Sequence, residues 1–135
     1  MKVILCLDKK NGMMFNQRRQ SRDAVVIQDI IDRLEGCELW MNSYSAKLFE
    51  GNSDVKTDEK FLQNCPDDAW CFVENERLLP LEQQISEIIV YRWGRVYPAD
   101  LQLDINLKKY ALEMEETMVG SSHPEMKRQV YRRKK

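Results

Sequence analysis

Apolar and polar positions along this chain change their period several times, and each change marks an element. An apolar run at 3–7, closed by Asp8, predicts a strand buried on both faces over residues 2–8. A polar loop containing Gly12, Met13, Met14 and Phe15 follows at residues 9–20. The period then becomes helical. Val26, Ile27, Ile30, Ile31 and Leu34 recur at spacings of three and four, while Gln28, Asp29, Asp32 and Arg33 fill the opposite face. Ser21 or Asp23 supplies the N-terminal cap of this helix over 24–34, and Gly36 the left-handed residue that ends it.

The pattern predicts a second strand at 37–42, a short helix at 44–50 capped by Ser43, and a polar connection at 52–56. Another short helix is expected at 57–63, with Thr57 as its cap and Phe61 and Leu62 turned inward. Strands at 69–73 and 86–93 flank a helix at 75–84 that kinks near Pro80. After a loop at 94–104, strands at 109–119 and 126–133 enclose the turn Gly120-Ser121-Ser122-His123-Pro124. The expected fold is therefore α/β and three-layered. A central, mostly parallel sheet carries helices on both faces and a C-terminal antiparallel β-hairpin, with residues 1–135 as one domain.

Composition narrows the function classes. A hydrophobic share of 43% and a charged share of 32% suit a folded chain with one core. The 21 basic and 22 acidic residues leave a net charge of −1, so no global field draws the protein to nucleic acid or a membrane. Lys127, Arg128, Arg132, Arg133, Lys134 and Lys135 crowd the C-terminus and read as a frayed, solvated end. A nucleic-acid role using these cations and the arginines between 18 and 22 is the weaker reading. No apolar run reaches the length of about 18 residues that a membrane span needs, and no signal-like segment is evident, so the expected location is cytoplasmic. Cys6, Cys37, Cys65 and Cys71 form no Cys-x-x-Cys pair, and His123 is the single histidine. Cys6, Cys37 and Cys71 sit in apolar, strand-like runs, so buried free thiols are expected and no metal site. Pairing of exposed strand edges leaves a homodimer open.

The loop at 9–20 lies over the C-terminal end of the first strand, where open α/β sheets hold ligands. Asp23, at the start of a helix facing that region, can pair with an amino-pyrimidine edge through two charge-assisted bonds, or can simply cap the helix. Arg18, Arg19 and Arg22 offer guanidinium forks to a carboxylate or phosphate, or salt bridges to Asp23 or Asp29. Phe15 and Tyr44 can stack on a flat heterocycle or pack as core. Asp8 reads as a turn former. Ser45 is an anion contact or a cap. Spacing supports no Ser-His-Asp set, and His123 is assigned no chemistry.

The same residues, taken in order, resemble a divergent, shortened member of the dihydrofolate reductase-like superfamily. The resemblance runs through Val3 and Leu7 to Asp8, then Asn11-Gly12-Met13, then Ser21-Arg22-Asp23 at the helix start. Leu39-Trp40-Met41 leading to Ser43, Trp70 to Val73, Tyr97-Pro98-Ala99-Asp100 and the final hairpin continue it. It implies a small-molecule ligand held by Cys6, Asp8, Gly12, Phe15, Arg22, Asp23, Tyr44 and Ser45, with Asp23 as the catalytic carboxylate. It also implies NADPH as cofactor, beside Ser45, Glu74, Asn75 and Glu76.

The chain departs from the family where that cofactor would lie. Glu74-Asn75-Glu76 replaces a Gly-Gly pair that lets backbone approach the pyrophosphate, and each carboxylate close to a phosphate costs roughly 1–4 kcal/mol. Asn42-Ser43-Tyr44-Ser45-Ala46 replaces Gly-Arg and Thr-Trp, keeping only a hydroxyl. The shortfall in length falls near 52–56. Two readings result. One is a nicotinamide-dependent reductase of a flat nitrogen heterocycle of the pteridine or pyrimidine type. The other is a non-catalytic small-ligand-binding or regulatory module that has lost dinucleotide binding.

Overall fold

A computed structural model describes residues 1–134; Lys135, the last of the C-terminal cations, lies outside the described residues. In chain order the strands and helices are β1 (Lys2–Leu7), β2 (Gly12–Phe15), β3 (Arg18–Arg19), α1 (Ala24–Arg33), β4 (Leu39–Met41), α2 (Ser43–Ala46) and β5 (Val55–Thr57). They continue with α3 (Phe61–Asn64), β6 (Trp70–Phe72), β7 (Glu87–Arg92), β8 (Leu101–Gln102), β9 (Tyr110–Met118) and β10 (Met126–Arg133).

Among the described residues, seven strands form the main sheet in the order β5-β4-β6-β1-β7-β10-β9. β1 lies parallel to both β6 and β7, and β4 parallel to β5 and β6. β10 runs antiparallel to β7 and β9, which makes the terminal hairpin one edge of the sheet. This is the expected α/β architecture. Because side chains alternate along a strand, β1 sends Val3, Leu5 and Leu7 to one face and Ile4 to the other. On the Ile4 side, Val26, Ile30 and Leu34 of α1 pack against Phe72, Ile89, Tyr91 and Trp93. On the opposite side, Phe61 and Leu62 of α3 join Leu78, Ile85 and Ile105. Both faces are covered, so the central strands are apolar throughout.

Several local expectations are corrected. The loop at 9–20 contains a hairpin: β2 and β3 are joined by Asn16 and Gln17, at φ 53° and 62°. Two left-handed residues are what a type I′ turn requires. β8, inside the expected loop at 94–104, pairs with β2 to complete a small second sheet. The polar connection and helix expected at 52–63 become β5 and the shorter α3, because Thr57 pairs with Met41 as a strand residue and does not cap. The helix expected at 75–84 is a 3₁₀ turn, Leu79–Gln84, with Pro80 near its start. The N–H groups of Leu78 and Leu79 there bond the Asp104 carboxylate at 2.9 and 3.1 Å. Asn42, not Ser43, caps α2, accepting from the Ser45 N–H.

The C-terminal cations from 127 to 133 are not a frayed end; they belong to β10. Arg128 is buried and bonds both oxygens of Asp29 at 2.9 Å, while Arg132 meets Glu113 at 3.3 Å and Lys127 meets Glu115 at 3.5 Å. Among the described residues no helix is long and apolar enough to cross a membrane.

Gly94 brings the end of β7 against the hairpin. Its φ is 79°, and a Cβ there would collide with the Glu125 carbonyl oxygen. Gly94→Ala is expected to destabilise the protein by about 1–3 kcal/mol, through left-handed strain plus that clash. Urea unfolding measures it, and an unchanged midpoint would show that this approach is not constrained.

Candidate functional site

Three polar clusters gather at the C-terminal ends of β1 and β4, around the start of α1. The first is centred on Asp8, buried where β1 ends. Its carboxylate accepts from the N–H groups of Lys10 and Gly12 at 2.8 Å, from Tyr97 N–H at 3.0 Å and from Gln20 Nε2 at 3.1 Å. Burial works against ionisation, yet these donors hold the Asp8 carboxyl below the usual carboxylate range. Asp8 therefore organises the loops rather than facing a ligand. Gly12 is confined with it: a Cβ would lie 2.8 Å from the Asp8 carboxylate and 2.9 Å from the Ala99 Cβ. Phe15 is exposed and borders a shallow groove with Arg18, Tyr97 and Pro98.

The second cluster fills the region where the cofactor was expected. Glu74, 8% exposed, accepts from Arg19 Nε at 2.9 Å, from Arg19 Nη2 at 3.1 Å and from the buried Ser45 hydroxyl at 2.8 Å. The Arg19 guanidinium also lies 4.4 Å over the Tyr44 ring, whose hydroxyl accepts from the Arg19 N–H at 2.9 Å. Asn42 Nδ2 donates to Asn75 Oδ1 at 2.8 Å, tying the ends of β4 and β6 together. Glu76 lies apart, beside α3. Cys6 packs against the α1-side core; desolvation first and the Glu74 charge second push its thiol up, so it stays protonated.

The third cluster joins elements almost a hundred residues apart. Asp23 caps α1 by accepting from Val25 N–H at 2.9 Å. The same carboxylate accepts from Ser121 N–H at 2.9 Å, Ser121 Oγ at 3.0 Å, Ser122 N–H at 2.9 Å and His123 Nδ1 at 2.8 Å. A carboxylate only accepts, so Nδ1 carries a proton, and Nε2 faces two hydroxyls, with that of Tyr97 at 3.4 Å. Ser21 Oγ lies 2.7 Å from that Nε2. Trp93 supports the imidazole from one face, with ring centroids 4.7 Å apart.

Asp23 was read as a ligand contact or as the helix cap; it is the cap, and five donors of its own chain engage it. Burial opposes its ionisation, and the bonds from His123, Ser122, Ser121 and Val25 overcome that and hold it well below the usual carboxylate range. Ser21 was expected only as a possible cap, and His123 as a residue without chemistry; the fold brings both to Asp23. The one sequence signal for the pairing is that polar Ser-Ser-His turn opposite a helix start.

Beside this cluster a cleft of about 450 Å³ opens between α1 and the turn after α2. Arg22, Ile27, Gln28, Lys47, Leu48 and Ser122 are among its walls, so two apolar side chains and two cations line it together. Of the expected ligand residues, Arg22 and Asp23 meet here, Asp8 and Gly12 meet in the first cluster, and Tyr44 and Ser45 meet in the second.

No family model matches this sequence, and no curated protein matches it. Solved structures do: the chain has a dihydrofolate reductase-like fold. A dihydrofolate reductase from Enterococcus faecalis, complexed with NADP(H) and RAB-propyl, is similar with a TM-score of 0.69 over 99% of this chain and 96% of that one. Identity is 8%, so the likeness establishes the fold alone.

Replacing Asp23 with Asn puts an amide N–H against donors. Asp23→Asn should cost about 2 kcal/mol or more near neutral pH. A depressed carboxylate contributes stability above its unfolded pKa, about 3.9, and loses it as pH falls toward its folded value. The stability gap between wild type and variant should therefore narrow below about pH 4 in urea titrations. A gap that stays constant there would mean that the carboxylate charge contributes nothing.

Proposed function

We propose that this chain is a small-ligand-binding protein on a dihydrofolate reductase-like scaffold, and that it has lost dinucleotide binding. The observation that carries this reading is the Arg19–Glu74–Ser45 network. In the resemblance Glu74 and Ser45 lie where a nicotinamide dinucleotide needs bare backbone and a hydroxyl, and Arg19 reaches them from the β2–β3 hairpin. Here the cation is already paired and the hydroxyl already donates. Admitting a pyrophosphate means separating a largely buried ion pair, at roughly 3 kcal/mol. That corresponds to about a hundredfold loss of affinity.

The cleft beside α1 supports the ligand half of the proposal. Its volume falls in the range of small-molecule sites, and Ile27 and Leu48 with Arg22 and Lys47 suit an aromatic body carrying an anionic group. Asp23 contributes by holding the cleft wall, since its oxygens are engaged. The likeness to a reductase that binds NADP(H) supports the competing reading, a nicotinamide-dependent reductase acting on a flat nitrogen heterocycle.

Thermal-shift titrations separate the two. NADPH at up to about 1 mM is expected to leave the wild-type melting temperature unchanged, and to raise that of Glu74→Gly, in which Arg19 and Ser45 are released. 4-Aminobenzoyl-glutamate, an aromatic ring with two carboxylates, should raise the wild-type value. Arg22→Ala and Lys47→Ala should each weaken that effect about tenfold in ligand concentration. A wild-type response to sub-millimolar NADPH would displace this reading in favour of the reductase.

A further inference from the structure

We propose that Ser21, His123 and Asp23 form a nucleophilic acyl-transfer centre that hydrolyses small carboxylic esters. This proposal stands on the third cluster alone and does not depend on what the neighbouring cleft binds. Nucleophilic hydrolysis by serine needs a hydroxyl on an imidazole nitrogen, with the other nitrogen oriented by a buried acceptor. Ser21 Oγ lies 2.7 Å from His123 Nε2, and His123 Nδ1 lies 2.8 Å from Asp23 Oδ2. The Asp23 side chain is fully buried and that of His123 is 4% exposed, while Ser21 retains part of its surface. Base and orienter are thus held away from water, and Ser21 is the one member of the three that is not buried.

A purely structural clamp does not require this arrangement. The helix cap is made by Asp23, so the Ser21 hydroxyl is not used as one. The turn is already tied to α1 by three bonds from Ser121 and Ser122 to Asp23. What Ser21 adds is a hydroxyl placed on the basic nitrogen of a ring that cannot turn, because Trp93 stacks on it and Asp23 holds its other nitrogen. Among the described residues, the N–H groups of Ala24 and Val26 in the first turn of α1 have no partner. First-turn N–H groups of this kind are the donors that the proposal assigns to the oxygen that becomes negative in the transition state.

The chemistry balances without a cofactor. Ser21 Oγ attacks the ester carbonyl carbon as its proton passes to His123 Nε2. The tetrahedral intermediate collapses, the bond from carbon to the alkoxy oxygen breaks, and His123 returns the proton to the departing alcohol. Water then attacks the acyl-Ser21 carbonyl as His123 Nε2 takes its proton; the bond from the acyl carbon to Oγ breaks, Nε2 returns the proton to Oγ, and the carboxylic acid leaves. Asp23 touches no reacting atom; it is a positioning residue that fixes the tautomer.

The test uses the full chain with a fluorophosphonate probe and with p-nitrophenyl acetate. The expected result is one covalent adduct per chain, mapped by peptide mass spectrometry to Ser21 and absent from Ser21→Ala and from heat-unfolded protein. His123→Gln and Asp23→Asn should each slow acylation at least about a hundredfold. Because His123 is the single histidine, nitrogen NMR of labelled protein reads the tautomer directly: Nδ1 protonated, Nε2 bare, with the Nδ1 proton far downfield. Folded wild type that stays unlabelled at Ser21, an adduct that persists in Ser21→Ala, or a proton on Nε2 instead of Nδ1 would each overturn the proposal. The wild-type measurements decide the matter even if a variant fails to fold.

Discussion

The Asp23 carboxylate is the point on which the molecule closes. It lies at the start of α1, and four of its five donors come from a turn 98 to 100 residues later. A buried carboxylate without donors is among the most costly groups a fold can contain, so its presence commits the β9–β10 turn to one position. Gly120, which precedes that turn, leaves no room for a Cβ beside the same carboxylate. Once the turn is fixed, His123 has only one place to lie, between Trp93 and Ser21. The cleft wall at Ser122 follows from the same constraint.

A second carboxylate shows how a buried charge is built into the scaffold. Glu74 ends β6 with its side chain 7% exposed, at a level of the sheet where the family resemblance calls for bare backbone. Alone it would repel any phosphate and be costly to bury. Arg19 from the β2–β3 hairpin and Ser45 from α2 both donate to it and make it an internal tie. The tie helps to hold the small sheet against the large one. Here a buried carboxylate serves the scaffold itself, consistent with the rule that folds host functions without dictating them.

What could be read in the sequence was whatever has a period or a local partner. The strands at 2–8 and 86–93 and the helix at 24–34 are long and regular enough to be seen in their apolar spacing. The fold class and the hairpin followed from their order. The misread elements were those decided by distant groups. Thr57 looks like a helix cap until Met41 offers a strand to pair with. Residues 75–84 look helical until Asp104 takes the N–H groups of Leu78 and Leu79. At the candidate sites Asp23 stood out as a carboxylate at a helix start, but its donors did not, because nothing local links Asp23 to His123.

The same distinction explains why a family resemblance carries the fold further than it carries the chemistry. A carboxylate at the start of the first helix tells what can be bound only when its free lone pairs are known. In Asp23 those lone pairs meet backbone N–H groups and an imidazole, so the residue that would grip a ligand becomes one that orients a base. Orientation then passes along the chain of bonds to Ser21, which has a nucleophile's contacts and keeps part of its surface open. The identity of its donors, and not its place at a helix start, decides whether such a carboxylate grips a ligand or orients a base.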